Sequence, residues 1–531
     1  MPNSLYYGDN LDVLREHVKD ESVDLIYLDP PFNSDRDYNI LFDSPKGEQS
    51  EAQIVAFKDS WQWGDQAESE FDDIVRGQNV GVAEMIQSMR RFLGENDMMA
   101  YLVMMAGRLL ELRRVLKPTG SLYLHCDSTA SHYLKIVLDA VFGKENYRNE
   151  IIWKRSNPKS HISRNFPTCT DTLLRYTKTN DYFYRQPYET HDPVYVESAY
   201  RYTDENGQYR LLPLLNPNDN RPNLTYEFLG ITRVWRWTKE RMEKAYREGI
   251  VVQAKPGAVP QYKKYLSESK GKTVTNCWTD IQQASGKESM GYPTQKPVAL
   301  LERIIQASSN AGDIVLDPFC GCGTAVYAAQ KLGRGWIGID ITHLAIALIE
   351  KRLKDAFPGI GFDVHGTPKD LSGARDLAAR DKYQFQWWAC SLVNAQPWQG
   401  HKKGADGGID GLIYFQDEPK AHKKIVVSVK GGGNVNVAMV RDLAHVVERE
   451  KAAIGLFVTL TEPTGPMLKE AASAGFYASA ANGKKYRKLQ ILTVSGLLDG
   501  TERPEYLDLS IGITFKKAAR ENKKSEQSPL F

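Results

Sequence analysis

Apolar residues over 1 to about 150 form short continuous runs that alternate with runs at helical spacing. Ser22 to Phe32, SVDLIYLDPPF, reads as a buried strand ending in a proline-locked turn. Residues 100–116 carry apolar side chains on a 3.6-residue period, which predicts a helix. A Lys-Pro-Thr-Gly turn follows, then a strand over 121–127, a helix over 131–143 and a strand over 150–154. Strands alternating with helices predict a parallel α/β sheet, because parallel neighbours need a crossover connection. The rhythm lapses over 151–290 and returns at 297–355. There a helix precedes the strand Asp-Ile-Val-Leu-Asp (313–317), a glycine-containing loop, a helix from Thr324, a strand ending at Asp340 and a further helix. Residues 359–380 turn polar, with Gly and Pro, and predict a linker. A separate α/β pattern fills 381–500, and within 501–531 the charged, apolar-poor end predicts a disordered tail.

With 531 residues, 42% apolar and 25% charged, the chain has the material for several packed domains, which excludes a mainly disordered protein. Its net charge of +2 marks no global nucleic-acid binder. The charge is uneven, however. Residues 151–290 hold 22 Lys and Arg against 15 Asp and Glu, with 19 aromatic residues interleaved, as in RVWRWTKERMEKAYR (233–247). Such a stretch is either a loop-rich insertion around a small aromatic core or a surface for phosphates and bases. Trp235, Trp237, Arg233 and Arg236 are the candidate contacts; tryptophans two apart on a strand are equally a core signature. Six cysteines are too few for a disulfide framework and read as reduced thiols. The N-terminus lacks the basic region and apolar core of a signal peptide, and no apolar run of about 18 residues predicts a membrane span. The expected setting is the cytoplasm.

Two motifs carry chemistry. Asp317-Pro318-Phe319-Cys320-Gly321-Cys322-Gly323-Thr324 lies between a strand and a helix, where small residues let the backbone approach a ligand. The next strand ends at Asp340, and a carboxylate there can accept hydrogen bonds from two ribose hydroxyls. Together these point to a nucleoside cofactor, with Cys320 and Cys322 as small loop residues. Asp29-Pro30-Pro31-Phe32 ends a strand, the position where open α/β sheets place ligands. The exocyclic amine of a base is a poor nucleophile because its lone pair is delocalised into the ring. Two acceptors gripping its hydrogens draw it toward tetrahedral geometry. The Asp29 carboxylate and the Pro30 carbonyl, aimed by two rigid prolines, can be those acceptors, and Phe32 can stack on a base swung out of its duplex. A carboxylate also suits a cationic sulfonium donor.

In this order, with Tyr292-Pro293-Thr294-Gln295-Lys296-Pro297 before the glycine motif, residues 1–355 resemble a β-class DNA amino-methyltransferase. GSLYLHCD (120–127) and NEIIWKR (149–155) add to the likeness. The resemblance implies a Rossmann-like sheet that uses S-adenosylmethionine to methylate adenine N6 or cytosine N4 in duplex DNA. It implies a catalytic half over 1–150, a target-recognition region over 151–290 and a cofactor-binding half over 291–358. Asp29, Pro30, Pro31 and Phe32 carry over as the catalytic motif. Asp317, Phe319, Gly321, Gly323, Thr324 and Asp340 carry over as cofactor contacts, Lys296 and Pro297 as neighbours of the cofactor, and Asp9 as a further candidate. Asp in the first motif position favours adenine, with cytosine N4 as the alternative. Such enzymes belong to bacteria, archaea or phages and occur as monomers and dimers.

The region 381–500 resembles an Mrr-type restriction-endonuclease-like domain, with strands 411–415 and 424–430 flanking a polar turn. Asp410 opens the first and Lys430 ends the second; an acid so placed can hold Mg²⁺, and a lysine can polarise the attacking water. The family carries Glu or Gln two residues before the lysine, whereas this chain has Ser428, a poorer metal ligand. Asp406 rivals Asp410. The domain is thus a nuclease, making the chain a restriction–modification enzyme, or a fold kept only for gripping DNA beside a solitary methyltransferase. Gln527-Ser528-Pro529-Leu530-Phe531 resembles a bacterial sliding-clamp-binding peptide.

Overall fold

In a computed structural model of the chain, the described residues are 3–31, 37–43, 49–58, 62–157, 166–286, 288–290, 292, 294–398, 407–418 and 421–508. Phe32, Asp406 and the Gln527–Phe531 peptide lie outside them. Among the described residues, no helix is long and apolar enough to cross a membrane.

The main sheet is built from β1 (Ser4–Tyr7), β2 (Val23–Leu28), β3 (Leu116–Cys126), β4 (Tyr147–Lys154), β5 (Thr170–Thr177), β6 (Cys277–Trp278), β7 (Ile314–Asp317), β8 (Gly335–Asp340) and β9 (Asp363–His365). Its spatial order is β6-β4-β5-β3-β2-β7-β8-β1-β9. The expected parallel sheet is in fact mixed, since β5 runs antiparallel to both β3 and β4. A strand that returns directly beside its predecessor needs no crossover helix, so this stretch lacks the strand–helix rhythm. The helices α1 (Asn10–His17), α2 (Asp97–Val115), α3 (Ser131–Phe142), α4 (Val298–Ser308), α5 (Thr324–Lys331) and α6 (His343–Ala356) supply the connections. Apolar residues of α2 and α3 close over β2 and β3 in one buried cluster that includes Ile26, Leu28, Leu102, Leu109, Leu122 and Leu138.

The stretch expected as a linker carries β9 and then α7 (Leu371–Arg380). β9 pairs in parallel with β1, Ser4 opposite Asp363. Three residues are too few to show a strand period. Gly366, at φ +79°, explains part of the glycine signal: a Cβ there would lie 2.1 Å from the Tyr7 carbonyl oxygen.

In the C-terminal region α8 (Lys382–Leu392) precedes a five-stranded sheet. Its strands, in spatial order, are β10 (Gln396–Pro397), β11 (Gly411–Glu418), β12 (Ala421–Lys430), β13 (Ile454–Thr459) and β14 (Leu489–Thr493). β11 and β12 form the expected antiparallel hairpin, and β12, β13 and β14 run parallel. Apolar side chains are buried on both faces, Ile413, Ile425 and Val427 on one and Leu412 and Val426 on the other. That is why these strands read as continuous apolar runs.

Residues Gln186–Thr275 form a compact unit of their own. It has a four-stranded sheet, a hairpin of Thr225–Phe228 with Ile231–Val234, and a helix over Lys239–Arg247. Its core gathers Leu214, Phe228, Trp235, Met242 and Val251. Trp235 is fully buried and donates from Nε1 to the Tyr226 carbonyl at 2.9 Å, so of the two readings of this tryptophan the core reading holds. Trp237 is half-buried against Tyr262, with Arg241 over its ring, while Arg233 and Arg236 are exposed.

Candidate active site

Four adjacent parallel strands deliver their carboxyl ends to one edge of the main sheet. β7 pairs with β2 in the register Val315–Leu25 and Leu316–Ile26, which sets Asp317 level with Tyr27 and brings Asp29 and Asp317 to the same sheet edge. β8 brings Asp340 next to them, and β1 brings Gly8 and Asp9. A cavity of about 360 Å³ opens there. Asp9, Asp29, Pro30, Pro31, Lys296, Asp317, Phe319, Gly321, Thr324 and Asp340 all line it, so the two sequence motifs share a single cleft.

The Asp29 carboxylate has two unlike oxygens. Oδ2 is ion-paired with the Lys296 ammonium. Oδ1 is buried and has no hydrogen-bond partner among the described residues. Leaving such an acceptor unpaired costs about 1–3 kcal/mol, so the oxygen is set for a donor from a ligand.

The glycine loop is held by its conformation. Gly321 and Gly323 have φ +49° and +73°. A Cβ on Gly323 would lie 2.7 Å from Cγ1 of Ile349 on α6, and one on Gly321 would lie 3.3 Å from the Tyr292 ring. Gly321 thus faces the cavity, whereas Gly323 lets α5 seat against α6 and is not among the lining residues. Pro297 also lies off the cavity lining, as the residue before α4.

Asp340 accepts from Gly321 N at 2.9 Å with Oδ2, and from Thr342 N and Oγ1, both at 2.9 Å, with Oδ1. Burial pushes its pKa up to about 6 against these hydrogen bonds. The ionised form accepts from ligand hydroxyls and the protonated form does not do so fully. Cofactor affinity is therefore expected to be flat above about pH 7 and to fall as pH drops through about 6. Calorimetric titration between these limits checks this, and Asp340→Asn should flatten the profile. Asp317 is buried and accepts from Phe319 N at 3.1 Å; burial, with Asp29 and Asp340 nearby, pushes its carboxyl well above the usual range.

These residues fit S-adenosylmethionine. Asp340 and the glycine backbone suit a ribose, the exposed Ile341 beside them offers an apolar face, and the carboxylates suit a sulfonium.

Sequence reading missed Arg108, which lies in a helical run of apolar residues. Its guanidinium grips both oxygens of Asp9 at 2.9 Å and donates to Asn10 Oδ1 at 2.6 Å. Asn10 in turn donates to the Pro318 carbonyl at 2.8 Å, so a buried network braces the two turns against each other. Asp9 also caps α1 through Leu11 N. A second buried chain went unread. The Tyr27 hydroxyl, on the cavity wall, meets His125 Nδ1 at 3.0 Å, and His125 Nε2 meets Asp171 at 3.2 Å. Tyr27 and His125 stand in the strands that carry the motifs, but nothing local marks them as partners.

In the C-terminal region Asp410 is buried. Oδ1 accepts from Gln386 Nε2 at 2.7 Å; Oδ2 accepts from Val429 N at 2.6 Å and Ser428 Oγ at 3.2 Å, and Lys430 Nζ lies 3.8 Å away. The residues expected at this site are therefore together. Their donor set does not fit Mg²⁺. Among the described residues the site offers one carboxylate, already engaged at both oxygens, and no cluster of three His, Cys, Asp or Glu side chains.

The chain is 29% identical over 359 residues to the Type II methyltransferase M.EcaI of Enterobacter cloacae, covering 66% of this chain and 69% of that one. It is 28% identical over 353 residues to the StyLTI Mod subunit, a Type III restriction-modification enzyme of Salmonella typhimurium, covering 62% of this chain and half of that one. A solved M1.HpyAVI–SAM complex aligns at 16% identity over 66% of this chain and 98% of that chain, with a TM-score of 0.31. Residues 391–499 match a family model described as NACHT-associated inactive Restriction Endonuclease 1. Residues 23–351, more than half of the chain, match the N6/N4 methyltransferase family model described as DNA methylase, and the protein belongs to that family.

Proposed function

We propose that this DNA methylase transfers a methyl group from S-adenosylmethionine to the N6 amine of adenine in duplex DNA. The observation that carries the proposal is Asp29 Oδ1, a buried acceptor without a hydrogen-bond partner among the described residues, in the same cavity as the glycine loop and Asp340. S-adenosylmethionine, when bound, supplies the methyl group. Gly321, Asp340, Asp317, Phe319 and Thr324 would hold it, with Asp9 bracing the wall.

Asp29 Oδ1 accepts one hydrogen of an extruded amine, and the Pro30 carbonyl accepts the other. This grip pulls the nitrogen lone pair out of the ring system. Asp29 Oδ1 is also placed to take the proton that the methylated amine loses. Phe32 stacks on the base in this scheme. The choice of adenine over cytosine rests on Asp in the first motif position. The unit Gln186–Thr275, with its exposed Arg233 and Arg236, serves as the target-recognition region.

For the C-terminal domain the reading favoured is an Mrr-like fold that grips DNA without cutting it. Asp410, the one carboxylate at this site among the described residues and engaged at both oxygens, supports this, as does Ser428 where a ligand is expected.

One set of incubations tests both parts. Purified protein, methyl-labelled S-adenosylmethionine and unmethylated duplex DNA are combined, and the DNA is digested to nucleosides. Label is expected on N6-methyladenine; label on N4-methylcytosine overturns the choice of base, and unlabelled DNA overturns the activity. The same DNA with added Mg²⁺ or Mn²⁺ is expected to stay intact on a gel. Cutting that disappears in Lys430→Ala would restore the nuclease reading.

A further inference from the structure

The family resemblance places Lys296 beside the cofactor, but the ammonium is bound to Asp29. Both side chains are largely buried, at 11% and 14% exposure, and Lys296 also reaches the Thr294 carbonyl at 3.4 Å. A lysine on the wall of a cavity meant for a sulfonium is at first sight misplaced, because two like charges in a poorly solvated site repel. Its pairing with Asp29 resolves the conflict. The pair is neutral as a unit, and the ammonium occupies Oδ2 while leaving Oδ1 open.

We propose that Lys296 is a positioning residue that acts through Asp29. It selects which carboxylate oxygen faces the base, and Asp29 in return screens the ammonium from a cationic cofactor. The inference rests on the proposed function and deepens it, because it assigns Asp29 two partners of opposite demand, one per oxygen. The charged and titratable groups around the pair include Asp317 from β7, Asp171 from β5, Tyr27 from β2, Tyr292 from the segment before α4, and the thiols of Cys126 and Cys322. Burial pushes Asp317 well above the ordinary carboxylate range and the tyrosines and thiols upward, while Asp171, held low against its own burial by His125 and Arg155, is an anion already engaged by those two side chains at 3.2 and 3.0 Å.

The test compares S-adenosylmethionine with S-adenosylhomocysteine, whose sulfur is uncharged, by calorimetry on the full chain. Asp29→Ala leaves the ammonium unscreened. It should weaken S-adenosylmethionine binding roughly tenfold while changing S-adenosylhomocysteine by less than about twofold. Lys296→Met should bind the cationic ligand at least as tightly as the natural chain, and the Asp29→Ala/Lys296→Met double variant should recover to within about threefold of it. In single-turnover transfer at saturating cofactor, Lys296→Met should be slower by about 10²-fold, the size expected of a misplaced catalytic group, with partial recovery in Lys296→Arg. Thermal melts of each variant confirm folding.

Equal weakening of both ligands in Asp29→Ala, or a double variant no better than the single one, overturns the screening role. A loss of cofactor affinity in Lys296→Met that matches its loss of rate overturns the positioning role and returns Lys296 to the cofactor. Should the ligand discrimination hold while the natural chain labels no DNA, the proposed function fails and the pairing stands.

Discussion

Asp29→Ala is expected to slow methyl transfer to DNA by about 10³-fold or more at saturating cofactor, because it removes the proposed amine acceptor, whose effect grows as the nitrogen becomes tetrahedral. The substitution is local. Pro30 and Pro31 stay, the β2–β7 register is untouched, and Asp340 and Gly321 keep their hydrogen bond. DNA binding, proposed for the unit 186–275, should survive. Measured in one turnover with labelled cofactor, the variant should bind DNA like the natural chain and transfer almost nothing. Retention of a tenth or more of the rate would move the amine acceptor to another residue, with Asp317 the nearest rival on the same sheet edge.

Trp235→Ala should do the reverse, sparing the cofactor site and losing DNA. The indole is fully buried in the core of the unit 186–275, against Tyr226 and Phe228. Truncating such a side chain costs about 3–5 kcal/mol. The Tyr226 carbonyl also loses the donor it meets at 2.9 Å, adding to that cost. Whole domains are stable by about 5–15 kcal/mol, so a unit of this size should open locally. The expected result is proteolytic cleavage within 186–275, loss of DNA binding, and calorimetric cofactor binding unchanged. Normal DNA methylation by a nicked chain would separate this unit from target recognition.

These two residues mark how far the sequence could be read. Asp29 was legible because its signal is local: an apolar strand, an acid and two prolines constrain their own backbone whatever lies around them. The glycine motif and Asp340 were legible for the same reason, and so was the β11–β12 hairpin with Asp410 and Lys430 at its ends. Trp235 was not, because a Trp-x-Trp spacing on a basic strand is the same whether its ring packs inward or waits for a base. The antiparallel turn of β5 and the short edge strand β9 were also hidden, since neither has the length or the crossover helix that gives strands a rhythm.

Taken alone, the order of residues determined which side chains stand at strand ends and glycine turns. Tertiary structure decided their partnerships. Lys296 and Asp29 are 267 positions apart, and only the parallel pairing of β2 with β7 and the path of the chain into α4 bring them together. Arg108 and Asp9, and the donors that engage Asp410, are settled likewise. A strand end is a property of a few neighbouring residues, whereas the choice of which carboxylate oxygen stays open depends on charges that the folded sheet brings together from distant parts of the chain.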